Sequence, residues 1–341
     1  MPTTTIGDVA RAAKVSTATV SRALSGSTAV NPDTAARVRE AALRLGYRVN
    51  PIARALRKNA TGNVGLLVPS VSNPFFTMLV DELEQHLVGT GMNLYLCTSR
   101  DDVDIEAKRL ASLCDGAVDG ILVSPCDAAR SGPALVGAHQ QVPVVQVDRS
   151  AADVDIDWVG LDDMHAMDAV VAHLAERGVR EIALVTSNAQ NSSGRLRTVA
   201  TRAAGTRHGI TVSRVLDGTF SPDWGAEAAA ALVADGPLPG AVVCTDDQIA
   251  TGLVRELQRL GVTVPDDVLV TGLDDVPHAA LLTPSLTTIR QPVSAIAAEA
   301  VRLIESLLHP HAEPGVSPRT SLRTAMRGEL VVRDSTRRTE R

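Results

Sequence analysis

Aromatic residues are scarce in this chain: three Phe, two Trp and two Tyr among 341 residues. The core must therefore be built from Leu, Val and Ala, and the place of each Phe carries information. Cysteine is nearly missing as well. Cys97, Cys114, Cys126 and Cys244 are widely spaced and form no CxxC pair. That argues against a disulfide framework and a thiolate metal site, and reads as free thiols in a reducing compartment. No apolar run approaches the roughly 20 residues needed to span a bilayer. The first residues lack a basic-then-apolar signal segment, so the expected location is the cytoplasm, with no membrane partner. The eight His are scattered, and there is no Walker-type phosphate loop, nucleophile elbow or His/Cys metal spacing. No cofactor, no metal and no enzymatic activity are expected. No short-period repeat is visible, and the length fits roughly two or three domains.

Charge, by contrast, is present and unevenly placed. Residues 1–60 carry ten Lys and Arg against three Asp and Glu, a surplus of seven, while the whole chain is at −6. The remainder is thus at −13. A basic head on an acidic body is expected of a protein that touches phosphates with one end only. The basic residues coincide with a pattern of short helices. Thr5 caps the first, and Asp8 three residues on completes a capping box. Ile6, Val9, Ala10 and Ala13 form its apolar stripe. Lys14 and Val15 make a turn, and Ser16 caps a second helix with Val20, Ala23 and Leu24 facing inward. Thr17, Ala18, Ser21 and Arg22 then point outward, as a helix read into a DNA major groove requires. Asn31 and Pro32 open a third helix as cap and first residue, Val38, Ala41, Ala42 and Leu45 form its stripe, and Gly46 stops it. Asn50-Pro51 begins a fourth segment of about two turns, too short to be stable without a partner.

Thr5-Ile6, Asp8-Val9-Ala10, Val15-Ser16, Thr19-Val20-Ser21-Arg22, Arg37-Val38, Leu45-Gly46-Tyr47, Asn50, Ala53-Arg54 and Leu56 together resemble the DNA-binding head and hinge of the LacI/GalR family of bacterial transcription regulators. One departure is Lys14, where that family usually has Gly in the turn. The resemblance implies contacts to double-stranded, palindromic operator DNA from Thr5, Ser16, Thr17, Ala18, Thr19, Ser21, Arg22, Asn31 and Tyr47 in the head. It adds Asn50, Ala53, Arg54 and Leu56 in the hinge, with paired Leu56 side chains of a homodimer wedged into the minor groove. Arg22 suits the O6/N7 edge of guanine.

From Gly62 the pattern changes to apolar runs of strand length alternating with helical segments. These include Val64–Val68, Asn93–Cys97, Gly120–Val123, Val144–Val147, Ile182–Val185, Ala241–Cys244 and Val268–Val270. Alternation of this kind implies parallel sheets with helical crossovers, and two series imply two lobes. The body is similar to that family's two-lobed, periplasmic-binding-protein-like effector domain. The expected fold is a small all-α helix-turn-helix head plus an α/β two-lobed body. The expected divisions are a head at 1–49, a hinge helix and linker at 50–61, a body at 62–333 and a polar, frayed tail at 334–341. By the resemblance the chain crosses between lobes near Gly160, Gln291 and Arg319, which gives lobes of 62–160 with 291–318 and of 161–290 with 319–333.

Ligands of open α/β sheets bind at the carboxyl ends of the strands. The effector candidates are Asn73, Phe75, Phe76, Asp148, Arg195, Arg197, Phe220, Asp246, Asp274 and Gln291, positions where the family holds its ligands. All three Phe are among them. Carboxylates and amides pair with sugar hydroxyls, Arg anchors an anion or a hydroxyl pair, and a ring stacks on an apolar face. One of Phe75 and Phe76 is expected in the core. Asp246-Asp247 and Asp274-Asp275 are each expected to put one carboxylate in the cleft and the other at a helix cap, and Asp162-Asp163 to serve as a cap. Where the family has Gly-Phe after Arg197, this chain has Ala200-Thr201, so Arg195 and Arg197 compete for the anchor. The expected function is a repressor, at least dimeric, controlled by a small sugar-like effector. A nucleoside or nucleobase effector is the alternative. A glycosidase using Asp148 and Asp274 ranks lower, and so does a solute-capture protein, which would need a signal segment and no head. No heptads follow Arg333, so the family's tetramer-forming zipper is not evident.

Overall fold

A computed structural model describes residues 4–25, 29–47, 60–309 and 320–337. The chain divides into two units, Met1–Thr61 and Gly62–Arg341. The first holds α1 (Ile6–Ala13), α2 (Thr17–Leu24) and α3 (Pro32–Arg44). The capping box forms as the sequence predicts: the Asp8 amide donates to the Thr5 hydroxyl, and the Asp8 carboxylate accepts from the Thr5 amide at 3.0 Å. Lys14 takes the left-handed conformation at φ +56°, the strained turn that Gly would adopt freely. The three helices close on Val9, Ala13, Val20, Ala23, Val38 and Ala41, with Tyr47 the one aromatic side chain against them. The hinge residues Asn50, Ala53, Arg54 and Leu56 lie outside the described residues.

The second unit contains two six-stranded sheets. In chain order its elements begin β1 (Asn63–Val68), α4 (Pro74–Val88), β2 (Asn93–Thr98), α5 (Val103–Cys114), β3 (Gly120–Val123), α6 (Gly132–His139), β4 (Val144–Val147) and β5 (Trp158–Leu161). They continue with α7 (Asp163–Glu176), β6 (Glu181–Ser187), α8 (Ser192–His208), β7 (Thr211–Gly218), α9 (Pro222–Ala234), β8 (Ala241–Cys244), α10 (Asp247–Arg259) and β9 (Leu269–Asp274). Last come β10 (Thr287–Arg290), α11 (Val293–Leu308), β11 (Arg323–Met326) and β12 (Glu329–Val331). The first sheet has the order β11-β5-β4-β3-β1-β2 and the second β12-β10-β9-β8-β6-β7. Pairing is parallel except between β10 and β12. Side chains alternate as period 2 demands. Leu66 and Val68 face the layer of α4 and α11, and Leu67 faces Leu110 and Leu135 on the other side. Ala183 and Val185 face α9 and α10, while Ile182 and Leu184 face α7 and α8.

Three segments cross between the lobes among the described residues, and one expectation about them and one about the tail need correction. The chain leaves the first sheet after β5 and returns to the first lobe after β10, at Gln291. The third does not lie near Arg319. β11 still pairs with β5 in the first sheet, so the chain crosses at Arg327-Gly328. A Cβ at Gly328 would stand 2.8 Å from Ile289, 2.9 Å from the Arg290 carbonyl and 3.1 Å from Leu161, so the three crossings pack against one another there. Over its described residues, 334–337, the tail is not frayed. Ser335 and Thr336 are buried: the Ser335 hydroxyl donates to the Val270 carbonyl, and Thr336 meets His173 Nε2 at 2.8 Å. Short polar side chains look like tail in sequence, but here they satisfy backbone groups at the end of the second sheet.

Candidate functional site

In the head, the helix-turn-helix geometry sorts the candidates. Thr17, Ala18 and Arg22 are exposed on α2. Ser16 and Thr19 are exposed or half-buried and occupied in capping: the Thr19 amide donates to Ser16 Oγ at 3.1 Å, and the two hydroxyls are 2.9 Å apart. Thr5 and Asn31 are likewise caps, Asn31 accepting from the Asp33 amide. Ser21 and Tyr47 are half-buried.

In the body, strand ends and helix starts from both sheets converge on one cleft. Asn73, Phe75, Phe76, Asp148, Arg149, Ser193, Arg197, Phe220, Asp246, Asp274 and Gln291 line it. Nine of the ten sequence candidates meet there. Arg195 does not: it is exposed and lines a separate surface depression with Ser150 and Arg323. The α8 register turns Arg197 into the cleft and Arg195 out of it, because residues two apart on a helix point to different sides. Both Phe75 and Phe76 are buried in the first lobe's core and both reach the cleft wall, their rings 5.2 Å apart and edge to face, so neither is core alone.

Asn73 joins the lobes. Its Oδ1 caps α4, and its Nδ2 donates to Asp246 Oδ2 across the cleft at 2.8 Å. Asp246 in turn caps α10 through its other oxygen, with the Ile249 amide at 3.1 Å. One carboxylate thus does the two jobs expected of the pair. Asp247 is neither a cap nor a cleft residue; it is buried beneath, accepting from Thr288 Oγ1 at 2.7 Å and the Val276 amide at 2.9 Å. Asp275 caps nothing either. It binds Arg290 and Arg333 at 2.7 and 2.6 Å, because antiparallel β12 brings Arg333 to it. Asp162 caps α7 as predicted. Asp163 turns inward instead and holds Arg197 Nε at 2.9 Å, a support that sequence reading missed.

The electrostatics follow from burial. Arg197 also donates to the Thr245 carbonyl at 2.8 Å. Burial works against its charge, but Asp163, Asp274 and Asp148 more than offset that and hold the guanidinium protonated. Burial raises Asp148 and Asp163 above the usual carboxylate range. Asp274 is pushed further, first by burial and then by Asp246. Its backbone sits at φ +122°, and Gln291 Nε2 donates to its Oδ1 at 2.7 Å. Gln291 Oε1 and Ser187 Oγ are buried without a hydrogen-bond partner among the described residues. Such acceptors are open to a ligand's donors. Arg149, paired with Asp101 at 2.9 Å, and Ser193 line the cleft as well, beyond the ten candidates. Arg149 stands beside the candidate Asp148 at the same strand end, and Ser193 lies in the first turn of α8.

Comparison with known proteins adds an independent line. Residues 5–50 match the family of bacterial regulatory proteins called the lacI family, and residues 171–336 match the periplasmic binding protein-like domain. The chain is 30% identical to the HTH-type transcriptional repressor PurR of Haemophilus influenzae, over 97% of this chain and 98% of that one. It is 31% identical to the ribose operon repressor of Escherichia coli, over 91% and 94% respectively. Its fold matches the lac repressor dimer bound to operator and the anti-inducer ONPF, with a TM-score of 0.87 at 24% identity, over 98% of this chain and 99% of that one.

Proposed function

The chain belongs to the lacI family of bacterial regulatory proteins and is a DNA-binding transcriptional repressor of that family; from that premise we propose that a small, uncharged, sugar-like ligand bound between its lobes sets its affinity for operator DNA. The observation that carries this is the balance of polar groups in the cleft. Asp148, Asp246, Asp274 and the free Oε1 of Gln291 offer acceptors, and Arg197 is the anchoring donor. A polyol supplies hydroxyl donors on its rim and an apolar ring face for Phe75, Phe76 or Phe220. The buried carboxylates outnumber the buried cations, which disfavours phosphorylated ligands. A nucleobase is the second reading, favoured by two rings of the cleft lining, Phe76 and Phe220, whose centroids stand 5.7 and 5.4 Å from the Arg149 guanidinium carbon.

Two heads acting together require a homodimer, and the protein works in the cytoplasm where its DNA lies. Ligand affinity and DNA affinity are linked reciprocally through the three crossing segments. Thermal-shift screening of uncharged sugars and nucleobases identifies the ligand. Asp274→Asn should then weaken that ligand by about tenfold, since one side-chain oxygen becomes an NH2 that cannot accept and a buried polar group left unpaired costs about 1–3 kcal/mol, and leave DNA binding unchanged. Ligand affinity equal to wild type in that variant would overturn the cleft assignment. For the head, Arg22→Ala should cost about 1–3 kcal/mol per half-site and relax preference at one symmetric position. Uniform weakening on all DNA sequences would reduce Arg22 to a phosphate contact.

A further inference from the structure

Three pairs of consecutive residues divide in the same way. Asp246, Asp274 and Gln291 line the cleft, while their neighbours Asp247, Asp275 and Arg290 stand outside its lining. The neighbours belong to one polar layer. The Thr288 hydroxyl donates to Asp247 Oδ1 at 2.7 Å and accepts from the Asp275 amide at 3.4 Å. The Asp275 carboxylate takes Arg290 Nε on Oδ2 at 2.7 Å and Arg333 Nη2 on Oδ1 at 2.6 Å. A reversal of the backbone makes this possible: Asp274 at φ +122° and Asp275 at φ +55° are both left-handed. Two such residues in a row persist only where their surroundings over-determine them. The reversal also crosses the pairs. Asp274 and Arg290 are register partners on β9 and β10, yet Asp274 accepts from Gln291, and Arg290 turns to Asp275.

Both arginines stand at crossings between the lobes. Arg290 ends β10, directly before the crossing at Gln291, and lies 3.7 Å from Glu329, the first residue of β12. Arg333 follows β12, the strand that the chain enters after Gly328. The Asp275 side chain is 8% exposed and that of Arg333 16%. Arg333 Nη1 also donates to the Leu286 carbonyl at 2.8 Å. That arm is therefore shielded from water and held on two sides, where a charged hydrogen bond is strong. Arg290, half exposed, is the weaker arm.

We propose that Asp275 is a positioning residue for the arrangement of the lobes: its carboxylate clamps the second crossing through Arg290 and the strand after the third through Arg333. It does so one residue away from Asp274, which faces the cleft. The proposal rests on the reading of the cleft as the ligand site for one part only. A ligand that draws on Asp274 or Gln291 also draws on the clamp, because the two pairs share the same strand ends. Loss of the charge at Asp275 loosens two crossings at once and leaves the cleft lining as it is.

The test needs neither ligand nor DNA. Two backbone amides reach from the first lobe to the second: Ala128 donates to the Gln190 carbonyl at 2.8 Å, and Ser150 donates to Ser192 Oγ at 2.9 Å. They exchange with deuterium when the lobes part, whereas Leu66 in β1 and Val243 in β8 exchange only when a lobe itself opens. Residue-resolved hydrogen exchange is measured on full-length wild type, Asp275→Asn and Arg290→Gln. Asn has the same shape and tolerates the left-handed backbone, so Asp275→Asn removes the charge alone. It should speed exchange at Ala128 and Ser150 by about tenfold, the equivalent of one hydrogen bond to a charged group, and leave Leu66 and Val243 unchanged. Arg290→Gln should act in the same direction more weakly, and add nothing in the Asp275→Asn background. Wild-type rates at Ala128 and Ser150 in a folded Asp275→Asn overturn the proposal. So does an equal acceleration at all four amides, which would make Asp275 a general contributor to stability. Should Asp275→Asn not fold, Arg290→Gln carries the comparison, and unchanged rates there overturn the proposal. A failed sugar and nucleobase screen would sink the proposed function without touching this comparison, which reads the lobes alone.

Discussion

Arg197→Ala should be among the most damaging single changes in the body, and its cost should depend on pH in a defined direction. The guanidinium is buried, donates to Asp163 at 2.9 Å and to the Thr245 carbonyl at 2.8 Å, and faces Asp148 and Asp274. Removing it leaves Asp163 and Asp274 without their cation and Asp148 with Arg149 alone. Breaking a buried pair from one side costs about 3–5 kcal/mol, which would lower the melting temperature by on the order of 10 °C for a unit of this size. The folded-state carboxyl values are already raised by burial, and Arg197 is what lowers them. Without it they rise further. A carboxyl with a raised folded value stabilises the fold fully below its unfolded value near pH 4 and loses that contribution as pH climbs through the folded one. The penalty of Arg197→Ala should therefore be small near pH 5 and large near pH 8. Urea denaturation of wild type and variant at both pH values measures it. Asp163→Asn in the same chain should recover part of the loss, because it removes one of the orphaned charges. A penalty below about 1 kcal/mol, or one equal at both pH values, would refute the picture of a charge balanced by burial.

Three further outcomes follow from local geometry. Burial pushes Asp247 up to about 7 from an ordinary 3.8, so the native state keeps a proton that the unfolded chain has released. Its contribution is full below about pH 4 and fades by about 1.4 kcal/mol per pH unit on the way up to 7; urea midpoints between pH 5 and 8 should show that slope in wild type and lose it in Asp247→Asn. Lys14→Gly should stabilise the head by about 1 kcal/mol by relieving its φ of +56°, seen as slower hydrogen exchange in α1 and α2, and unchanged exchange would mean the turn stores no strain. A Cβ at Gly252 would overlap the backbone of Pro222 where α10 lies against α9, so Gly252→Ala should cost about 1–3 kcal/mol in chemical denaturation, and a neutral result would mean the two helices part freely.

Much of this protein is written locally. The capping box of Thr5 and Asp8, the caps at Ser16 and Asn31, and the stop at Gly46 depend on residues within a few positions of each other, so periodicity and cap chemistry found them. The apolar runs of β1, β3, β4, β6 and β8 were equally plain, because strands buried on both faces need continuous apolar sequence. Nine of ten cleft candidates could be named because strand ends in an open sheet are where ligands sit and because the chain resembles a family that holds its ligands at these positions. What tertiary structure alone decided was partnership. Which Arg faced the cleft hung on the register of α8, and that register is set by the packing of Ala200 and Ala204 against the second sheet. The third crossing lay at Gly328 because β11 pairs with β5, a contact between residues more than 160 positions apart that no local pattern encodes. Asp163, Asp247 and Asp275 each looked like a helix cap in sequence. Their charges are settled by Arg197, Thr288, Arg290 and Arg333, which chain topology delivers from distant segments. Arg149 is the sharpest case: a charge near a strand end by sequence, it lines the cleft with its guanidinium 5.7 Å from the Phe76 centroid and 5.4 Å from the Phe220 centroid, rings that folding brings from distant parts of the chain.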